Sequence, residues 1–370
     1  MSLRTQIDAD IRQATLARRK DELDALRSIK SMILLAETEK GASGELSAET
    51  EMKILILGAG AVGGYFGGML AKAGHSVSFI ARDRQAKAIA AGGLSIRSAN
   101  WQSTLKVPHI HVSSDPSLLA EVEGVLLCVK STDTEDAALQ MRAHLPKHCW
   151  VMSLQNGVDN PIRAQQVLDR LVIPAVVYVA TAMPEPGLIE HFGRGDLVIG
   201  PPSEAQRQLA RDPNTITQEL LAHIRDSFMA SGIPVEVSDK VQQALWAKLL
   251  VNCTYNAISA LAQVDYGTLA AHGAIQQTMR AVIEEVVAVS VAAGVNLDLA
   301  QAIQICQKIA QAMPKQLSST AQDIARKKRS EIDHLNGFVV REGQRLSVAT
   351  PVNQTLHALV KLVESEFSEA

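Results

Sequence analysis

The sequence predicts a two-part architecture: an α/β domain on a mostly parallel sheet over residues 52–239, then an all-α domain over 240–370, with a short helical appendage at 1–51 in front. Three observations predict it. A glycine-rich turn near residue 58 sits between an apolar run and a helical pattern; strand-like and helix-like stretches alternate from there to Gly200; and from about Val241 the apolar residues recur almost wholly at helical spacing. At 370 residues the chain is natural for two domains, and 47% hydrophobic content suffices for substantial cores.

The appendage differs in composition: 18 of its 51 residues are charged, against 57 of the remaining 319. Leu3, Ile7 and Ile11 recur every four residues, and Leu23, Leu26, Ile29 and Ile33 every three to four, up to a plausible stop at Gly41. This reads as a solvated helical hairpin with a polar tail from Ala42 to Glu51, too small to bury much alone.

Lys53 to Leu57 is a continuous apolar run, typical of a buried parallel strand. It leads into Gly58-Ala59-Gly60-Ala61-Val62-Gly63, a helical pattern to Gly74, and a second strand from Ser76 to Ala81. In that context G-x-G-x-x-G is a dinucleotide fingerprint, so the domain is expected to be of the Rossmann type. Gly58 makes the tight turn, Gly60 admits a pyrophosphate to the backbone, and Gly63 packs the helix close to the strand. The following helix offers unpaired N–H groups to the phosphates. At the end of the second strand stands Arg82, where an arginine pairs with a 2′-phosphate, so NADP(H) is expected. Asp83 would serve NAD if the strand ended one residue later.

Further strands are expected at Val125–Val129, Trp150–Leu154, Val172–Ala180 and Leu188–Gly200, with a helix from Asp133 to His144. Later helices are expected at 241–261, 273–293 and 298–312, and after Thr350-Pro351, where the threonine caps and the proline opens the first turn. Ser330 to Asp333 reads as another helix start, with Ser330 and Asp333 as caps.

A net charge of −3 argues against binding nucleic acid by bulk charge. No stretch has the apolar length of a membrane span, and the polar, acid-bearing N-terminus is neither signal nor transit peptide. The four cysteines, Cys128, Cys149, Cys253 and Cys306, lie far apart in apolar surroundings and read as reduced core thiols of a cytoplasmic protein, with no metal spacing.

The most informative segment is Ala244 to Leu261. Lys248 is its only charge, and Lys248, Asn252 and Asn256 form one stripe at i, i+4 and i+8. The stripe reads equally well as the wall of a polar cleft, where a buried lysine delivers a proton, or as a snorkelling lysine beside two satisfied core asparagines. Lys130 and Asn156 each follow a predicted strand, at the carboxyl ends where open α/β sheets bind ligands. Ser318, Ser319, Gln322 and Asp323 form a polar cluster, and Glu331 reads as a first-turn acid.

Together these residues resemble the ketopantoate reductase (2-dehydropantoate 2-reductase) family from Met52 to about Phe367. The resemblance rests on Gly58–Gly64, Cys128-Val129-Lys130, Gln155-Asn156-Gly157, Leu245–Cys253 with Asn256, Ser318-Ser319, Gln322-Asp323-Ile324, Glu331-Ile332-Asp333 and Asn336-Gly337. It implies an NADPH-dependent reduction of ketopantoate to (R)-pantoate in pantothenate biosynthesis. Lys248 would be the catalytic lysine and Glu331 its acidic partner, orienting it; Asn156, Asn252, Asn256 and Ser319 would contact substrate, Ser319 at its carboxylate. Lys130, Asn156 and Glu331 would border the cofactor, with residues 58–63 and Arg82 holding the rest of it. Two departures, Thr320-Ala321 in place of a methionine and Gln316 in place of an asparagine, bear on the substrate wall. Residues 1–51 instead resemble a truncated start of the GatB/YqeY family, joined where a reductase chain would begin. RNA contact through that segment would be the rival to a purely small-molecule enzyme. The helices leave monomer and homodimer equally open.

Overall fold

The computed structural model describes residues 51–107, 110–211 and 215–367; the helical hairpin expected within 1–51 lies outside them. In chain order the elements that matter here are β1 (Lys53–Leu57), α1 (Ala61–Lys72), β2 (Ser76–Ile80), α2 (Asp83–Gly92), β3 (Leu94–Ser98), β4 (Leu105–Val107), β5 (His111–Ser113), β6 (Gly124–Leu127), α3 (Thr134–Arg142), β7 (Trp150–Ser153), α4 (Asn160–Leu168), β8 (Ile173–Glu185), β9 (Leu188–Ile199), α5 (Glu204–Leu209), α6 (Gln218–Ala230) and β10 (Val235–Val237). The second domain continues with α7 (Val241–Ala262), α8 (Tyr266–Ala271), α9 (Gly273–Ala292), α10 (Leu299–Ala312), α11 (Ser319–Ala325), α12 (Asn336–Leu346) and α13 (Pro351–Ser365).

The sheet runs β4-β3-β9-β8-β7-β6-β1-β2-β5, with β10 alongside β9. From β5 to the start of β8 all pairs are parallel, as expected. The outer part is mixed, with β3 and β10 parallel to β9 but β8 and β9 forming a long antiparallel hairpin. Its physical cause is the two-residue Pro186-Gly187 connection, which is too short for a crossover. The sheet therefore curls, and α/β strands give way to a ribbon that reaches toward the second domain.

Both faces are covered. Ile54 and Ile56 of β1 join Phe66, Leu70 and Phe79 on one side. Leu55 and Leu57 join Val125, Leu127, Ala138 and Val151 on the other. This period-2 partition of a wholly apolar strand is why its sequence shows no alternation. The helical domain has its own core, in which Leu249, Leu250, Cys253 and Ala257 of α7 meet Val282, Ile283 and Val286 of α9. The first turns of α7 pack instead on the sheet, Val241 and Leu245 against Val176. One helix thus belongs to both domains, and Lys248 sits where its packing changes hands.

Two caps differ from expectation. Thr350 makes no capping bond at α13; the carboxylate of Glu285 takes the N–H groups of Val352 and Asn353 at 2.8 and 2.9 Å, a charged acceptor that outcompetes a hydroxyl. After Ser330 the chain makes only a 3₁₀ turn, Ile332–His334. Ser330 Oγ accepts from Ile332 N–H and donates to Glu364, while Asp333 binds His357 and Lys361 of α13 rather than capping. Cys149, Cys253 and Cys306 are buried and Cys128 partly so, all four as free thiols. Burial pushes the Cys149 thiol up to about 12 and that of Cys306 to about 11. Among the described residues no helix is long and apolar enough to cross a membrane.

Candidate active site

The glycine turn has the geometry its residues require. Gly58 has φ +103°, and a Cβ there would lie 2.8 Å from the backbone of Cys128 and Val129, so the turn is pressed against the end of β6. A Cβ on Gly63 would fall 2.1 Å from Gly58 O and 2.9 Å from Ile56 Cγ2, which is the close helix–strand approach only glycine permits. A Cβ on Gly60 would meet nothing within 4 Å. The space above Gly60 is open, as a cradle for a pyrophosphate must be. Ala59, Ala61 and Val62 complete the turn, with Gln85 Nε2 donating to Ala59 O at 2.9 Å.

Strand β2 ends at Ile80, so Arg82 becomes the residue before α2 and Asp83 its first. The Arg82 side chain is exposed and pairs with Asp133 Oδ2 at 2.7 Å.

At the carboxyl ends of β6 and β7 the two domains are joined by polar contacts. Glu331 of the helical domain accepts from Ser131 N–H and Oγ, both at 2.7 Å, and from Asn156 Nδ2 at 3.2 Å. Lys130 Nζ donates to Asp323 at 2.9 Å and to Arg329 O at 3.1 Å. Burial raises the Asp323 carboxyl, and Lys130 opposes that rise. Sequence reasoning missed Ser131. It is fully buried, and its Oγ also lies 3.0 Å from Asn156 O and 3.1 Å from Asn160 Nδ2. Its only signal was its place directly after Lys130.

Lys248 is half-buried, and its Nζ donates to Val177 O of β8 at 2.6 Å. Burial lowers its pKa from 10.5 to about 8; Glu331 and Asp196 oppose the drop, and Arg194 adds to it. The Glu331 carboxylate accepts from three donors of the first domain. Glu331 acts on Lys248 through its charge.

The rest of the stripe divides. Asn252 is half-buried. Asn256 is buried, with Tyr266 Oη 3.5 Å from its Oδ1 and Ser318 Oγ 3.3 Å from its carbonyl. Ser319 is the exposed first residue of α11, which Ser318 caps through Ala321 N–H at 3.0 Å. Thr320 and Ala321 are buried, and Gln316 Nε2 donates to Leu317 O. The structure thus gathers Lys130, Asn156 and Glu331 into one network beside the glycine turn, with Lys248 in its field. Arg82 lies outside that network.

A half-buried lysine whose pKa burial lowers to about 8, in the field of Glu331, can protonate an oxygen that gains charge during reduction. Comparisons with known proteins agree with such chemistry. Family models match the chain at residues 54–204 (ketopantoate reductase PanE/ApbA) and 240–364 (the C-terminal part of the same family). The 2-dehydropantoate 2-reductase of Pyrococcus horikoshii is 31% identical over 314 residues, 85% of this chain and 98% of that protein. The enzyme of the same name from Halobacterium salinarum is 30% identical, covering 85% and 100%. A PanE/ApbA family ketopantoate reductase structure from Ralstonia eutropha JMP134 superposes with a TM-score of 0.76 at 48% identity, covering 85% of this chain and 99% of that one. A D-mandelate dehydrogenase bound to NADH and anilino(oxo)acetate has the same fold, with a TM-score of 0.76 at 22% identity, again over 85% and 99%. Shared sequence along nearly the full length of these relatives, carried on one fold, leaves a single conclusion: the chain belongs to the ketopantoate reductase family.

Proposed function

We propose that this chain catalyses the NADPH-dependent reduction of 2-dehydropantoate to (R)-pantoate. The observation that carries the reading is Lys248, an ammonium with a pKa near 8 on a helix shared by both domains. A bound dihydronicotinamide supplies the hydride. Residues 58–63 hold its pyrophosphate, Arg82 the 2′-phosphate, and Lys130, Asn156 and Glu331 the nicotinamide end. Lys248 donates a proton to the C2 oxygen and stabilises its developing charge, and Glu331 is its acidic partner. Asn156, Asn252, Asn256 and Ser319 contact the substrate. Residues 52–239 form the cofactor domain and 240–370 the substrate domain. We assign residues 1–51 to a GatB/YqeY-like appendage without catalytic part; the reductase family match beginning at residue 54 supports the second half of that assignment alone. The working form is a cytoplasmic monomer or homodimer that engages no nucleic acid.

The test is a steady-state assay with ketopantoate, comparing NADPH with NADH and a panel of other 2-oxo acids. Preference for ketopantoate and NADPH is expected. Lys248→Ala should cut turnover by about two to four orders of magnitude with NADPH affinity retained. Near-normal turnover in that variant, or a better rate with another acid, overturns the respective assignment.

A further inference from the structure

Strand β9 departs from sheet geometry at Gly193-Arg194-Gly195. Its register against β8 slips between Tyr178 and Val179 and again between Ala180 and Thr181. Arg194 has φ +58°, a left-handed conformation that side-chain-bearing residues adopt rarely. The next residue is closely packed: Gly195 has φ +144°, and a Cβ there would lie 2.3 Å from Tyr65 Oη. The bend is also pinned, since His191 Nε2 bonds Arg194 O, His191 Nδ1 pairs with Ser98 Oγ at 2.8 Å, and its ring stacks on Tyr65 at 4.5 Å. An over-determined outlier of this kind points to a task for the side chain it presents.

That side chain lies on the ring of Tyr178, 4.1 Å from its centroid. Nε and Nη2 donate to Asp196 Oδ1 and Oδ2 at 2.9 and 2.6 Å. Asp196 sits opposite Tyr178 in the β8–β9 pair. The residue before Tyr178 is Val177, whose carbonyl receives Lys248, and the lysine feels the Arg194 charge. Two of the five guanidinium N–H groups are used by Asp196. The other three, two on Nη1 and one on Nη2, have no partner among the described residues, on a side chain 58% exposed. Two cations therefore stand near one another at the β8–β9 ribbon, a lysine suited to a ketone oxygen and an arginine with a free edge suited to a carboxylate. A 2-oxo acid presents those two groups on adjacent carbons.

We propose that Arg194 is a specificity-determining residue that reads the carboxylate of the 2-oxo acid substrate through its free Nη edge, while Asp196 and Tyr178 hold the guanidinium in place. The proposal rests on the reductase reading above. It supplies the positive charge that Ser319 lacks.

The experiment compares wild type, Arg194→Gln and Arg194→Lys as full chains, with NADPH and either ketopantoate or ketopantoyl lactone, whose ketone is the same and whose carboxylate is closed into an ester. Arg194→Gln should raise KM for ketopantoate about 10- to 100-fold, the loss of a charged hydrogen-bond pair, with kcat, NADPH affinity and melting temperature near wild type. Arg194→Lys should recover part of the loss, and the wild-type preference for acid over lactone should collapse in the glutamine variant. An unchanged acid-to-lactone ratio, or a shifted pH–kcat profile with unmoved KM, overturns the proposal. If wild type reduces a different 2-oxo acid, the ketopantoate assignment falls and the same KM comparison on that acid decides Arg194. If it reduces none, both fall.

Discussion

Replacing Lys248 by methionine should abolish turnover and yet stabilise the fold at neutral pH. The drop of its pKa from 10.5 to about 8 corresponds to about 3 kcal/mol carried by the charged form in the folded state. Methionine keeps the straight-chain volume without the charge. Loss of the 2.6 Å bond to Val177 O offsets about 1–2 kcal/mol of that gain. The net is a stabilisation of about 1–2 kcal/mol, or a rise in melting temperature of about 1–3 °C for a chain of this size. The sign of the pH dependence follows from linkage. The folded pKa lies below the unfolded one, so the cost is fully present below pH 8 and is relieved as pH rises from 8 through 10.5, where the unfolded chain holds the proton longer. Scanning calorimetry of both proteins at pH 7 and pH 10.5 should show the variant ahead at the first pH and the gap narrowing at the second. A variant that melts at or below wild type at pH 7, or a gap that stays constant, would mean the ammonium is bathed in water and the reasoning fails.

Four further outcomes are expected. If protonated Lys248 is the acid, kcat/KM should fall on an alkaline limb with a midpoint near pH 8; a flat profile to about pH 9.5 excludes it. Gly60→Ala should leave the melting temperature unchanged but weaken dinucleotide binding measured by calorimetry, whereas Gly63→Ala should lower the melting temperature, because only the second Cβ strikes backbone. Arg82→Gln should cut the preference for NADPH over NADH by about 10- to 100-fold, the loss of a charged hydrogen-bond pair; equal losses with both cofactors would separate Arg82 from the 2′-phosphate. Asp333 is held well below the usual carboxylate range by His357, then Lys361. Its contribution is present above the unfolded value of about pH 4 and is lost as pH falls below it. Asp333→Asn should therefore lower the melting temperature at pH 6 and converge with wild type in strong acid, and parallel melting curves across that range would contradict the assignment.

What could be read from the chain by itself was whatever depends on neighbours in sequence. The β1–turn–α1 unit, Lys53 to Lys72, is local: an apolar run, three glycines at fixed offsets and a helical pattern dictate it without help. The Lys248-Asn252-Asn256 stripe was equally legible as a spacing. What that spacing meant was open, since a helix pattern says which residues share a face and not what the face meets. Tertiary structure decided it by packing the first turns of α7 on β8 and the rest in the helical core, which leaves Lys248 desolvated and Asn256 buried. The same holds for Glu331, whose partners Ser131 and Asn156 stand 200 and 175 residues away, and for Arg194, which reads in sequence as a charge in a glycine-rich strand. Hydrogen bonds and charge effects depend on distance in space, and chain folding sets that distance only when the sheet curls and the two domains close on one another.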